Sequence, residues 1–243
     1  MNLVLLEPDE VTATGRVMLD GIRARHLLTV LDAAVGDTVR LGIIDGPAGV
    51  GTVMERGATT IGLQCAFEGI PPCPAIDLLL AVPRPKVLRR LWAQLAALGV
   101  RRIVLTNAAR VERNYFDTHV LTPECYRPLL LEGLQQARDT RLPLVTVHRQ
   151  FRVLIEDDLS TLTGNGTRIV ADPSGRMTIR ESLAADRENR VVLAVGPEGG
   201  WNAFELSLLE AHGFQCVGIG GRTLRTDTAC VALLALVNDS RTR

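Results

Sequence analysis

The sequence predicts an α/β protein in two parts, a small N-terminal β-barrel followed by a larger unit with a mainly parallel sheet. Three observations predict it. Short β-like runs separated by turn residues fill the first 67 positions, three prolines crowd into 71–74, and beyond them apolar strand-like runs alternate with amphipathic helical ones.

The elements follow in order. Residues 38–45, 50–55 and 60–65 are rich in β-branched and apolar side chains, and Asp45-Gly46-Pro47-Ala48-Gly49 and Arg56-Gly57-Ala58 punctuate them at the spacing of a small barrel. Proline fits neither a helix interior nor a central strand, so 68–75 reads as the linker between domains at 1–70 and 75–243. A strand over 77–82 and an amphipathic helix over 86–98, stopped by Gly99, open the second domain. Strands over 101–106, 144–147, 168–171 and 191–195, with a helix over 123–138, continue a βαβ pattern.

Composition excludes several classes. Hydrophobic residues make up 47% and charged residues 22% of 243 positions, which is typical of globular chains and unlike disordered or fibrous ones. No apolar run reaches the roughly 18–20 residues of a membrane helix, and the first residues lack a basic region and a cleavage site, so a cytoplasmic location is expected. The five cysteines are widely spaced, without a Cys-x-x-Cys or a histidine at ligand spacing, and read as reduced thiols; no metal site is expected. A net charge of +0 gives no bulk attraction to nucleic acid, so any grip on RNA has to come from local clusters of arginine. Lys86 is the only lysine, a bias that fits phosphate recognition and codon usage equally.

Two segments carry chemistry. The apolar run 191–195 ends in Gly196-Pro197-Glu198-Gly199-Gly200, and Asn202-Ala203-Phe204-Glu205 then reads as a helix cap with its reciprocal carboxylate. Glycines at the carboxyl end of a strand let backbone groups approach a ligand, although the same residues also build a plain tight turn. No Lys-Ser or Lys-Thr follows, the spacing is not Gly-x-Gly-x-x-Gly, and Glu198 would repel a phosphate; ATP and NAD are disfavoured, and a cationic sulfonium is tolerated. One helix later a strand over 215–219 enters Gly220-Gly221-Arg222-Thr223-Leu224-Arg225-Thr226-Asp227-Thr228-Ala229, followed by an apolar helix that Thr226 or Thr228 can cap. Arg222 and Arg225 concentrate donors there, or Arg222 pairs with a surface carboxylate and Asp227 merely favours the helix dipole.

Taken together, the Gly-Pro-Glu-Gly-Gly loop and the stretch Ile219-Gly220-Gly221-Arg222-Thr223-Leu224-Arg225-Thr226-Asp227-Thr228-Ala229 resemble the RsmE family of the SPOUT methyltransferase superfamily. Arg25-His26-Leu27-Leu28-Thr29-Val30-Leu31 with Val35-Gly36-Asp37, Leu98-Gly99-Val100 and Gln135-Gln136-Ala137-Arg138 extend the resemblance over essentially the whole chain. Ala137 before Arg138, and Gln94-Leu95-Ala96-Ala97 before Leu98, depart from the family pattern and bear on the RNA target more than on the methyl donor.

The resemblance implies a PUA-like RNA-binding β-barrel, a SPOUT α/β domain with a trefoil knot, a homodimer, and S-adenosylmethionine as methyl donor to uracil N3 of 16S ribosomal RNA, free or in the small ribosomal subunit. Carried over, Val170, Ala171, Gly196, Pro197, Glu198, Gly199, Gly200, Ile219, Gly220, Leu224, Arg225, Thr226 and Thr228 line the donor pocket. Arg225 is the expected catalytic residue, stabilising negative charge on the uracil oxygens. Glu198 and Asp227 are the candidate bases, and each can instead hold backbone N–H groups. No metal is called for, because the leaving group departs as a neutral thioether. Arg16, Arg23, Arg25 and His26 form the expected RNA-binding patch, and Arg84, Lys86, Arg89 and Arg90 form a second cluster whose members can pair with nearby acids. Competing readings are a SPOUT enzyme acting on another RNA base or a ribose, and a non-catalytic RNA-binding assembly factor.

Overall fold

A computed structural model describes residues 2–185 and 188–242 and divides into two compact units. The first comprises Met1–Cys73 with Leu131–Leu142, and the second Pro74–Leu130 with Pro143–Arg243, so the division is not a single cut in the chain. The reason is local bonding: Thr140 donates from Oγ1 to the Gly46 carbonyl at 2.7 Å, and Arg141 donates from Nε to Pro71 at 2.8 Å.

The first unit is a half-barrel sheet in the order β1-β3-β4-β5-β2, built from β1 (Val4–Leu6), β2 (Arg16–Leu19), β3 (Thr38–Ile43), β4 (Ala48–Arg56) and β5 (Ile61–Gly69). Its edge strands β1 and β2 are not paired with each other among the described residues, so the small barrel expected from the sequence takes the form of a half-barrel. Leu6, Leu19, Leu41, Val53, Ile61 and Leu63 fill the concave core together with Ala24 and Leu27 from helix α1 (Gly21–Arg25) and the wide helical turn His26–Val30. Gly49 is obligatory, since a Cβ there would meet the Ala66 carbonyl at 2.0 Å. The proline-rich stretch after β5 carries no regular structure, in keeping with residues that cannot extend a ladder.

The second unit holds a six-stranded, wholly parallel sheet in the order β11-β9-β10-β6-β7-β8. Its strands are β6 (Ile76–Ala81), β7 (Val100–Thr106), β8 (Leu144–His148), β9 (Thr167–Ala171), β10 (Val191–Val195) and β11 (Phe214–Val217). The central pair β6 and β10 is buried along its full length, which is why both read as continuous apolar runs. Helix α2 (Pro85–Ala97) packs Leu88, Leu91, Trp92 and Leu95 inward at i, i+3, i+4 and i+7, and ends at Gly99 with φ +74°. Helix α3 (Pro123–Ala137) sets Tyr126 against Trp92, with ring centroids 5.1 Å apart. The helical stretch of α4 (Phe151–Val153), a wide turn and α5 (Leu159–Thr163) leads into β9, and α6 (Ile179–Ser182) follows it. Helix α7 (Ala203–Ala211) joins β10 to β11, and α8 (Thr226–Thr242) buries Cys230, Leu233, Leu234 and Val237 on one stripe. Among the described residues no helix is long and apolar enough to cross a membrane.

One charge lies inside this core. Asp77 of β6 is 0% exposed and accepts from Arg101 at 2.8 Å and 2.5 Å. Removing one partner of such a pair strands a buried charge, whereas replacing both by apolar residues does not. Arg101→Met is therefore expected to lower unfolding stability in urea by about 3–5 kcal/mol, and Asp77→Leu with Arg101→Met by clearly less. Equal losses in the two variants would contradict this role.

Candidate functional site at the carboxyl edge of the parallel sheet

Because all six strands run the same way, the segments leaving β9, β10 and β11 emerge at one edge. They enclose a cavity of about 490 Å³, lined by Ala171–Ser174, Val195–Trp201, Val217, Ile219, Gly220, Arg222–Leu224, Thr226, Ala229, Leu233 and Arg110. That volume suits a small-molecule ligand.

The segment after β10 is fixed from both ends. Gly200 donates its N–H to the Pro197 carbonyl at 2.8 Å and takes φ +73°, a left-handed conformation that favours glycine. Asn202 then caps α7: its side chain accepts from Glu205 N at 2.8 Å, and Glu205 Oε2 accepts from Asn202 N at 2.8 Å, the reciprocal pair expected from the sequence. Glu205 is only 3% exposed, and its other oxygen accepts from Ala109 N at 2.6 Å, which ties the segment after β7 to the glycine turn. Next in that segment, Arg110 donates to the carbonyls of Gly199 and Trp201. The buried indole of Trp201 packs on Phe151 and lies against Gly196, where a Cβ would come within 3.1 Å of Nε1.

The segments after β9 and β11 clasp each other. Asp172 N donates to Val217 O at 3.1 Å and Gly218 N to Met177 O at 3.0 Å. The turn Asp172-Pro173-Ser174-Gly175 is closed by Ser174 N and Oγ on Asp172 Oδ1, at 2.9 Å and 2.6 Å. Beyond Gly220, whose φ is +113°, the chain passes Arg222 and Leu224 into α8. The Arg225 carbonyl accepts from Ala229 N at 2.8 Å, so Arg225 occupies the capping position and neither Thr226 nor Thr228 does; both already lie within the helix.

Ten of the expected pocket residues border the cavity: Ala171, Gly196, Pro197, Glu198, Gly199, Gly200, Ile219, Gly220, Leu224 and Thr226. Three do not. Val170 is fully buried, since neighbouring strand residues project to opposite faces and Ala171 takes the cavity side. Arg225 and Thr228 are exposed and outside the lining. Both candidate bases hold other groups: Glu198 Oε1 accepts from Arg84 N at 3.0 Å, and Asp227 pairs with Arg90 at 2.9 Å while accepting from Thr228 N at 2.9 Å. Cys230, fully buried in α8 next to the lining residue Ala229, is an inert thiol whose pKa burial, reinforced by Asp227, pushes up to about 12.

The expected RNA-binding residues belong to the first unit. Arg23 is bound by Glu10 and by the Leu5 carbonyl, and that bond holds the Glu10 carboxyl below the usual carboxylate range. Arg16 donates to Gln64 at 3.3 Å, His26 has its Nε2 buried without a hydrogen-bond partner among the described residues, and Arg25 is exposed. Sequence reasoning missed Arg110, Asp172–Ser174 and Trp201. The Asp-Pro-Ser-Gly turn after β9 was a readable signal; Arg110 had none, because only the sheet order brings it to the glycine turn.

Close backbone approach makes the clasp testable. A Cβ on Gly175 would lie 2.3 Å from the Val217 carbonyl carbon, while one on Gly69 would meet nothing within 4 Å. Gly175→Ala should cost about 1–3 kcal/mol in urea unfolding and Gly69→Ala much less; similar losses for both would refute the clasp.

The chain matches the family model described as an RNA methyltransferase domain over residues 71–238. It is 33% identical to the ribosomal RNA small subunit methyltransferase E of Treponema pallidum, covering 98% of this chain and 90% of that protein. It is 27% identical to the protein of the same name from Synechocystis, covering 98% and 77%. The ribosomal RNA small subunit methyltransferase E of Neisseria gonorrhoeae, solved bound to S-adenosyl methionine, superposes with a TM-score of 0.75 at 21% identity, covering 98% of this chain and 97% of that one. With the matched domain spanning the whole of this parallel sheet and its cavity, the chain belongs to the RNA methyltransferase family and, within it, to the ribosomal RNA small subunit methyltransferase E proteins.

Proposed function

We propose that this protein transfers the methyl group of S-adenosylmethionine to N3 of a uridine in 16S ribosomal RNA. The observation that carries the reading is the convergence of the turns after β9, β10 and β11 on one cavity whose walls are mostly backbone and apolar side chains. The fit can be judged from the lining itself. Gly196, Gly199, Gly200 and Gly220 leave backbone groups accessible, Pro197, Ile219, Leu224 and Leu233 offer apolar faces for a purine, and Glu198 suits a cation better than a phosphate. The related protein of N. gonorrhoeae binds this same donor.

When bound, the donor supplies an electrophilic methyl group on a sulfonium. The chain's own part is alignment and charge. Holding two reactants in line can lower a barrier by up to about 7–11 kcal/mol, and the clasped turns provide a stiff wall for it. Arg225, exposed beside the cavity and with its carbonyl fixed in α8, donates to a uracil oxygen as N3 loses its proton. Glu198 takes that proton on Oε2, the oxygen that makes no hydrogen bond among the described residues. The finer family features belong to the same reading: a PUA-like first domain over 1–70 that touches RNA through Arg25, a SPOUT domain over 75–243 with a trefoil knot, a homodimer, and work in the cytoplasm on ribosomal RNA or the small subunit.

The direct experiment incubates the protein with labelled donor and small-subunit RNA from a strain lacking it, then maps the modified base by mass spectrometry. Label at uracil N3 is expected; label on another base or a ribose, or none, would overturn the assignment. Arg225→Ala should lower kcat by roughly 100-fold or more while leaving donor affinity unchanged. Glu198→Gln, which keeps an acceptor for Arg84 N–H, should lower turnover by about 100-fold; unchanged turnover would return Glu198 to a purely structural role.

A further inference from the structure

Two arginines of the second unit border the cavity, and two further cations stand at the start of the helix whose capping residue is bonded to the cavity wall. Arg110 and Arg222 line it, from the segments after β7 and β11. Arg84 is joined to it through its backbone N–H on Glu198, and Lys86 follows two residues later on the first turn of α2. Pro85 holds Arg84 extended, at φ −49° and ψ 137°, as the capping residue before α2. All four side chains are exposed, and none forms an ion pair among the described residues.

None of the neighbouring acids forms an ion pair with them among the described residues. Glu112 accepts from the Tyr115 hydroxyl at 3.1 Å, Glu198 accepts from the Arg84 backbone N–H, Asp172 closes its own turn, and Asp227 is taken by Arg90. Arg110 bonds only to neutral carbonyls, so its charge remains available. In a chain whose net charge is +0, four cations without an ion pair, two of them lining the cavity beside Glu198 and Asp172, are a local excess of positive charge that the composition does not supply by itself.

We propose that Arg84, Lys86, Arg110 and Arg222 form a phosphate-binding lip that holds the backbone of the acceptor RNA across the cavity, independently of its sequence. This rests on the methyltransferase reading, since an acceptor strand has to cross the mouth for its base to reach the methyl group. The lip positions and does no chemistry: contacts to phosphate set register, and the cavity selects the base. Guanidiniums suit this task through their forked donors, and Lys86 adds a point charge.

The sole lysine makes the surface directly readable. The full chain is treated with an amine-acetylating reagent alone, with S-adenosylhomocysteine, and with S-adenosylhomocysteine plus small-subunit ribosomal RNA, and the Lys86 peptide is quantified by mass spectrometry. Acetylation of Lys86 should fall several-fold with RNA and not with S-adenosylhomocysteine alone, and should recover as salt rises from about 50 to about 200 mM. Arg84→Gln with Lys86→Gln should reduce the slope of log affinity against log salt by about 1.4, two single-strand phosphate contacts, while S-adenosylhomocysteine affinity stays unchanged. Bound RNA that leaves Lys86 fully reactive, or a double variant with the wild-type slope, would overturn the lip and leave the methyltransferase reading standing. A wild-type chain that binds neither S-adenosylhomocysteine nor RNA would overturn both.

Discussion

The parallel alignment of β11, β9 and β10 is the constraint on which the rest depends. Register pairs Ala171 of β9 with Val195 of β10 and with Val217 of β11, so three strands end level with one another. The turns that leave them have to share one small volume, and they can do so only where side chains are absent. That explains Gly196 under the Trp201 indole and Gly175 against Val217. A parallel sheet gains its stability from burial on both faces, and β6 and β10 provide that burial along their whole length. Stability and site therefore share a cause, because the apolar runs that fix the sheet also fix where its loops meet.

Much of this was legible in the sequence because its determinants are local. The helical spacing of Leu88, Leu91, Trp92 and Leu95, the stop at Gly99, the Asn202–Glu205 cap and the glycine turn after β10 each depend on residues within a few positions of one another. What escaped depends on distant pairing. Nothing near Arg110 indicates that it will bond Gly199, because that contact exists only once β6 lies between β7 and β10. The open edge of the first sheet and the allocation of Leu131–Leu142 to the first unit are likewise properties of pairing across the chain. The start of α8 was misjudged for a subtler reason: two threonines resembled caps, but the Arg225 carbonyl accepts the first helical hydrogen bond.

Charge follows the same division between local and distant. Arg23 reads as a free cation in its Arg-rich neighbourhood and is in fact bound by Glu10, thirteen positions earlier. Arg90 stands among cations in sequence and pairs with Asp227 across the fold. Those two pairings separate structural arginines from the exposed ones that stay available to a polyanion. The second of them also joins the start of α8 to α2, so that the carboxylate read as a candidate base bridges two helices.

On the function proposed above, the turns at 172–174, 196–201 and 219–224 together form the methyl-donor pocket. A crystal structure of this protein with S-adenosylhomocysteine tests it most directly. Density for the nucleoside enclosed by those three turns, against the glycine backbone, is the result expected; a ligand bound elsewhere, with this cavity empty, would contradict it.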